Sequence, residues 1–400
     1  MLIIGAGVEQ VPAYELGLKM GLIVVGSDMN PEAPGFKLTD ERIIASTYDA
    51  RETLEEASKF HRKNPIDGVM TLANDVPMTV AVIAKELQVP GISIETARLS
   101  SNKLLQLERF REDRIPVPDY REVRSKEQLR RIIDEWGYPL IIKPPDNRGA
   151  RGVLRLTKGF DVEWAFNETI SHSETRSIVA QKFIEGYQIS SESFVLEGKC
   201  YTAMYSGRNY EFLERFSPHI IENGGWLPAG ITEQETRALD EVVQRVVDSL
   251  RVKNGPLKGD LVLTGDGPVV IEFTPRMGGG YAVSHSIPLT HGVNLVAQVI
   301  KMSLGLPVDV TDLIPRYKQS AALRFFFPKP GIVEEIKGFE KLDKYGWVVL
   351  KRIYCKVGDV IEEVTNHTKR SGCVIAVGKD KKEAEERAKE AISSVQIITR

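Results

Sequence analysis

Cysteine is scarce in the 400-residue chain: Cys200, Cys355 and Cys373 stand far apart, with no C-x-x-C pair and no zinc-type spacing. That excludes a disulfide framework and a thiolate metal centre, and it points to a reducing, cytoplasmic compartment. Long apolar runs are missing too. No stretch reaches the roughly 20 residues of a membrane span. The apolar residues 2–8 lack the basic lead and the cleavage site of a signal peptide. Neither sign of charge is in excess: 53 basic and 55 acidic residues leave a formal net charge of −2. This balance gives no footprint for nucleic acid or a membrane surface. The Walker A pattern G-x-x-x-x-G-K-[ST] is absent. Gly5-Ala6-Gly7, with Asp28 downstream, lacks the third glycine of a dinucleotide fingerprint because Gln10 stands there, which argues against NAD. No Ser/His/Asp or Cys/His set suggests a side-chain nucleophile. Asn366-His367-Thr368 matches a glycosylation sequon, which matters only in a secreted protein.

What is present is ordinary globular composition, 42% hydrophobic and 27% charged, in a length that suits about two or three domains. The first 100 residues alternate short apolar runs (2–4, 22–25, 43–45, 68–72) with helical stretches (51–60, 76–87), which predicts a parallel sheet covered on both faces. A charged helix over 100–112 ends at Ile115-Pro116-Val117-Pro118. Residues 120–195 read as a small α+β unit with strands at 139–142 and 177–183. Residues 206–230 form a long loop of functional character. Thr232 and Glu235 make a capping box for a helix whose apolar face holds Leu239, Val242, Val243, Val246, Val247 and Leu250. The segment from 321 onward reads as short strands and a final helix capped by Asp380 and Glu383, with no internal repeat.

The strongest physical signal lies at 259–276. Two apolar, β-rich runs flank Gly265-Asp266-Gly267, the pattern of a hairpin. A turn centred on Asp266 sets Asp260 opposite Glu272, with Cβ atoms roughly 5 Å apart. Like charges so placed destabilise a sheet unless a cation joins them, and Mg²⁺ is held by one or two carboxylates plus phosphate oxygens. Period-two alternation places Glu272, Thr274 and Arg276 on one face, where Arg276 suits a transferring phosphoryl or a carboxylate. A surface hairpin with solvated acids is the competing reading. Upstream, the strand ending at Lys143 runs into a loop carrying Arg148, Gly149 and Gly152, whose N–H groups and lysine fit phosphate. A solvated basic turn fits that loop equally well, and Lys103 reads as an exposed helical lysine.

In order along the chain, Asn102-Lys103, IPVPDY, YPLIIKPPDNRGARGV, VAQKFIEGYQISSESFV and KGDLVLTGDGPVVIEFTPRMGGG resemble the ATP-grasp superfamily over roughly residues 1–320. The segment after Arg276 and the tail, with FFFPKPG and SGCVIAVGKDKKEAEERA, look like the carboxylate–amine ligase branch that includes L-amino acid ligases. The resemblance implies an α/β chain: an N-terminal parallel-sheet (Rossmann-like) domain over 1–98, an ATP-grasp domain over 99–320 with its lid near 120–187, and a small α+β domain over 321–400. It implies ATP with Mg²⁺ or Mn²⁺, small carboxylate and amine substrates, and a homodimer. Lys103 and Lys143 would contact phosphates; Gln181, Lys182, Phe183 and Ile184 would hold adenine. Gln188 and Glu192 would lie near the ribose and the site wall. Asp260, Glu272 and Thr274 would bind metal, and Arg276 would steady an acyl phosphate. The family often has Glu where Gln181 and Gln188 stand, Asn at Thr274, and more glycine in the phosphate loop. Among proton acceptors, His285 is favoured over His219, Glu222 and His291 because it follows Gly278–Gly280. Arg208 and Arg215 are candidate carboxylate binders. A bicarbonate-phosphorylating carboxylase or carbamoyl-type enzyme, and a non-catalytic ATP-binding protein, are the alternatives.

Overall fold

The computed structural model describes residues 1–39, 41–317 and 319–400. The expected parallel sheet is present, in the order Glu41–Ile44, Val25–Asp28, Leu2–Ile4, Val69–Met70. Ile3 packs into one core while Leu2 and Ile4 pack into another on the opposite side, so both faces are covered. The second strand begins at Val25, where Leu2 pairs, rather than at Leu22.

The helix expected over 100–112 is two helices, Ile94–Ser101 and Lys103–Glu112. Between them Asn102 is extended, and its side chain accepts from the N–H groups of Leu104 and Leu105. Asn competes locally with the helical ladder, and apolar periodicity does not report that competition. Lys103 is thereby a first-turn residue, and its own N–H donates to Pro145 O at 2.7 Å. The break ties the helix to the phosphate loop.

Residues 120–182 form a small α+β unit with an antiparallel sheet ordered Tyr120–Val123, Ile178–Lys182, Leu140–Lys143, Leu154–Leu156. Its core joins Leu140, Ile142, Leu154 and Ala180 to the helices Lys126–Trp136 and Val162–Ser171. The central sheet has eight strands and includes Tyr187–Leu196, Lys199–Arg208 and the hairpin Gly255–Thr264/Gly267–Thr274. Behind it lies the helix Glu233–Ser249, with the expected capping box and its apolar face buried.

The 206–230 segment is not wholly a loop. Its strand Gly225–Leu227 pairs with Lys199–Arg208 on one side and Ser320–Phe325 on the other. The C-terminal strands Gly372–Gly378 and Val348–Ile353 follow in that same sheet. The tail therefore completes one end of the central sheet.

Candidate active site

The hairpin pairs Asp260 directly with Glu272. The route to that register differs from a turn centred on Asp266. Thr264 pairs with Gly267 around a Gly265-Asp266 turn, and a bulge at Ile271 then shifts the register by one residue. Without the bulge Asp260 would face Ile271, and Glu272 would turn to the other side of the sheet.

Cations surround both acids. Arg208 approaches Asp260 Oδ1 at 2.7 Å, and Lys258 contacts the other oxygen. Glu272 lies 3.4 Å from Lys103, whose ammonium also donates to Asn147 O. Burial opposes ionisation of both carboxylates, but Arg208 and Lys258 hold Asp260 well below the usual range, and Lys103 with Lys143 lowers Glu272 against the repulsion of Asp260. No well-directed hydrogen bond reaches the buried Oδ1 of Asp260. Opposed carboxylates held ionised fit a divalent cation that takes its remaining ligands from phosphate. Among the described residues no group of three or more His, Cys, Asp or Glu offers a complete cage.

Two cavities flank the pair. One, of about 480 Å³, lies between the 120–182 unit and the central sheet and is lined by Lys103, Lys143, Gln181, Lys182, Phe183, Ile184, Gln188, Asp260 and Glu272. Gln181 is buried there with an unpartnered Nε2 donor. The Lys182 side chain turns outward to Asp119 at 2.9 Å, leaving its backbone at the wall. The second, of about 770 Å³, opens toward the N-terminal domain and is lined by Glu9, Asp75, Glu192, Trp226, Gly278–Gly280 and Arg370. Arg148, Gly149, Arg208, Lys258, Arg276 and His367 line both, so the cavities meet beside the acidic pair.

Several expected residues lie elsewhere. Glu192 lines the larger cavity and not the smaller one, and it accepts from Gly278 N–H at 3.1 Å. A Cβ at Gly278 would come within 1.9 Å of this carboxylate, which explains the glycine. Burial lifts Glu192 to about 7. Thr274 lines neither cavity; its hydroxyl donates to Asp75 Oδ1 at 3.2 Å. Gly152 also lines neither, and packs against His172 and Pro144. His285 is edge-on to Tyr281 at 5.5 Å, outside both cavities, because the turn of π-helix over Ala282–Ser286 carries it away. His219 and Arg215 lie outside as well, the latter over Phe212 and Phe216, while His291 is buried beside Thr290. Glu222 is in place but holds Arg208, with Oε2 2.7 Å from its Nε.

Family models match most of the chain: an ATP-grasp N-terminal domain over residues 12–91, an ATP-grasp domain over 100–280, and L-amino acid ligase C-terminal domain 2 over 324–400. The chain belongs to the ATP-grasp superfamily. The structure of L-amino acid ligase from Bacillus licheniformis shares this fold, with a TM-score of 0.85 and 22% identity over 100% of this chain and 98% of that one. Phosphoribosylamine–glycine ligase of Pyrococcus horikoshii is 23% identical over 429 positions, 99% of this chain and 92% of that protein. The uncharacterized protein y4rH of Sinorhizobium fredii is 25% identical over 359 positions, 88% of this chain and 72% of that protein.

The sequence pattern did not single out Asp75, Lys258, His367 and Arg370. Asp75 lies 3.4 Å from Arg276, and Arg148 donates to its carbonyl oxygen. His367 sits in the disregarded sequon. Burial and Arg370 pull its imidazole down to about 3, so it is neutral and accepts from Glu222 N–H at 3.3 Å. A cue existed in His367-x-x-Arg370, polar residues in a loop leading into the last apolar strand of the sheet.

Burial also pulls the Lys143 ammonium down to about 8, against the attraction of Glu272. Lys143 is charged below that pH and neutral above it. Bound triphosphate favours the charged form, so ATP binding should take up a proton above pH 8 and weaken as pH rises further. Calorimetric titration in two buffers of different ionisation enthalpy measures this uptake. Lys143→Met should bind ATP more weakly and lose the pH dependence; an unchanged dependence would assign it to another group.

Proposed function

We propose that this protein is an ATP-dependent ligase that phosphorylates a small carboxylate and joins it to an amine, releasing ADP and phosphate. What carries the reading is the meeting of a nucleotide-sized cavity and a substrate-sized one at Arg276, Arg208 and Lys258, beside paired carboxylates. ATP would lie in the smaller cavity, with adenine against Gln181–Ile184, where the unpartnered Gln181 amide finds an acceptor. Lys103, Lys143 and the N–H groups near Gly149 would meet the phosphates. Asp260 and Glu272 would hold Mg²⁺, which neutralises phosphate charge.

The substrate carboxylate would be held at the junction by Arg276. That guanidinium is pinned, with NH1 donating to Met277 O at 3.1 Å and NH2 beside Asp75, while its buried Nε has no partner. A fixed donor without an acceptor is what a substrate oxygen requires. The carboxylate oxygen attacks the γ-phosphorus, the bond to the β-bridging oxygen breaks, and ADP leaves. The amine then attacks the acyl carbon, and the C–O bond to phosphate breaks. Glu192, poised at about 7 on the wall of the larger cavity, can accept the proton the amine gives up.

A phosphate-release screen of paired carboxylic acids and amines tests this reading. Release is expected only when both partners are present. Release driven by bicarbonate alone would support a carboxylase instead, although a 770 Å³ cavity far exceeds what bicarbonate needs. ATP binding without turnover against the whole panel would leave a non-catalytic nucleotide-binding protein.

A further inference from the structure

The tail adds one further group where the two cavities meet. His367 opens a short helical turn, His367–Lys369, ahead of the strand Gly372–Gly378. Its N–H donates to Gly149 O at 3.2 Å, which ties the turn to the loop that carries Arg148 and Gly149. Its carbonyl accepts from Arg370 Nε at 2.8 Å. The backbone is therefore held on both sides of the ring. The ring itself lines both cavities, as do Arg208, Lys258 and Arg276.

One hydrogen bond fixes the state of that ring. Glu222 N–H donates to Nε2 at 3.3 Å. An accepting ring nitrogen carries no proton, so in the neutral imidazole the proton sits on Nδ1. Burial and the charge of Arg370 keep the ring neutral against the pull of Glu222. Among the described residues nothing accepts from Nδ1. With its one lone pair engaged, the ring is not free to take a proton from an amine; what it has to give is a single N–H. The three cations beside it each meet a carboxylate already, Arg208 and Lys258 at Asp260 and Arg276 at Asp75. We propose that His367 is a further catalytic residue, its Nδ1–H donating to an oxygen of the γ-phosphoryl group during transfer to the substrate carboxylate. This assignment rests on the ligase reading. The bond from phosphorus to the β-bridging oxygen breaks, the bond to the carboxylate oxygen forms, and the Nδ1 proton stays on the ring. Charge spread over the transferring oxygens is what a preorganised donor stabilises.

Two substitutions separate the two ring nitrogens. His367→Asn keeps an amide donor near the place of Nδ1 and gives up the acceptor for Glu222. His367→Gln reaches toward Glu222 and gives up the donor. With an acid–amine pair that supports turnover, His367→Gln should lower kcat at saturating ATP by ~10²-fold, while His367→Asn stays within about tenfold of wild type. KM for ATP should move little in either. The reverse ranking, equal losses, or a loss confined to KM for ATP would overturn the catalytic role and leave the ligase reading intact. If no pair yields phosphate, the ligase reading falls, and the contact is read without turnover. Nitrogen-15 NMR of histidine-labelled protein, with the His367 signals assigned by their loss in His367→Asn, reports which ring nitrogen holds the proton. A protonated Nδ1 that shifts on addition of magnesium and a non-hydrolysable ATP analogue, but not of magnesium and ADP, supports a donor aimed at the γ-phosphoryl group. A proton on Nε2, or the same response to both nucleotides, overturns it.

Discussion

Glu272→Gln is expected to lower phosphate release by at least ~10³-fold while the protein folds and still binds ATP. Glutamine keeps the shape of the side chain but removes the charge that makes Asp260 and Glu272 a pair suited to a divalent cation. The same charge also supports the ammonium groups of Lys103, 3.4 Å away, and of Lys143. Without it the Lys143 pKa should fall below about 8, so the variant should bind ATP less well at neutral pH than a lost metal contact alone would cause. Lys103 retains its bond to Asn147 O, and the stability change should stay within about 1–2 kcal/mol. Circular dichroism and a thermal melt check the fold, and single-turnover ADP formation checks the chemistry. Turnover near the wild-type level in a folded variant would remove the metal assignment.

That pair was legible because two alternating runs close around one turn signal in sequence. Asp260 and Glu272 lie in strands whose apolar runs are unmistakable, although the bulge at Ile271, not the turn alone, brings them opposite. The N-terminal parallel sheet and the capped helix Glu233–Ser249 were legible for the same reason: local pattern and tertiary demand agree. The losses have a common cause as well. Asp75 is a single carboxylate in a loop, and its role comes from contacts to Thr274 and Arg276, nearly 200 residues away. His367 and Arg370 reach the site only because Gly225–Leu227 carries the central sheet across to the C-terminal strands. A three-residue strand leaves almost no period to detect. His285 was favoured by its nearness in sequence to Gly278–Gly280, but the π-helical turn that begins with Tyr281 in a left-handed conformation points it away. Proximity along the chain is a poor proxy for proximity in space wherever the backbone leaves regular geometry.

Arg276→Lys separates positioning from charge at the same site. The guanidinium makes two directed contacts, NH1 to Met277 O and NH2 toward Asp75, and leaves Nε unpartnered. Lysine restores one positive charge but not that planar fork. Asp75 keeps the Thr274 hydroxyl and a nearby cation, so the fold should survive. Arg276→Ala, by contrast, leaves the half-buried Asp75 carboxylate with a weakened set of partners and should cost about 1–3 kcal/mol of stability, as removal of a charged hydrogen-bond partner does. In Arg276→Lys, ATP affinity should change little, because the proposed triphosphate contacts, Lys103 and Lys143, are untouched in the smaller cavity. Turnover should nevertheless fall by ~10²–10³-fold, the usual effect of removing one preorganised donor from a developing anion. A fall confined to KM for the carboxylic acid would limit Arg276 to ground-state binding. A fall in kcat at saturating acid would place its donor on the oxygen that gains charge as the acyl phosphate forms and breaks down.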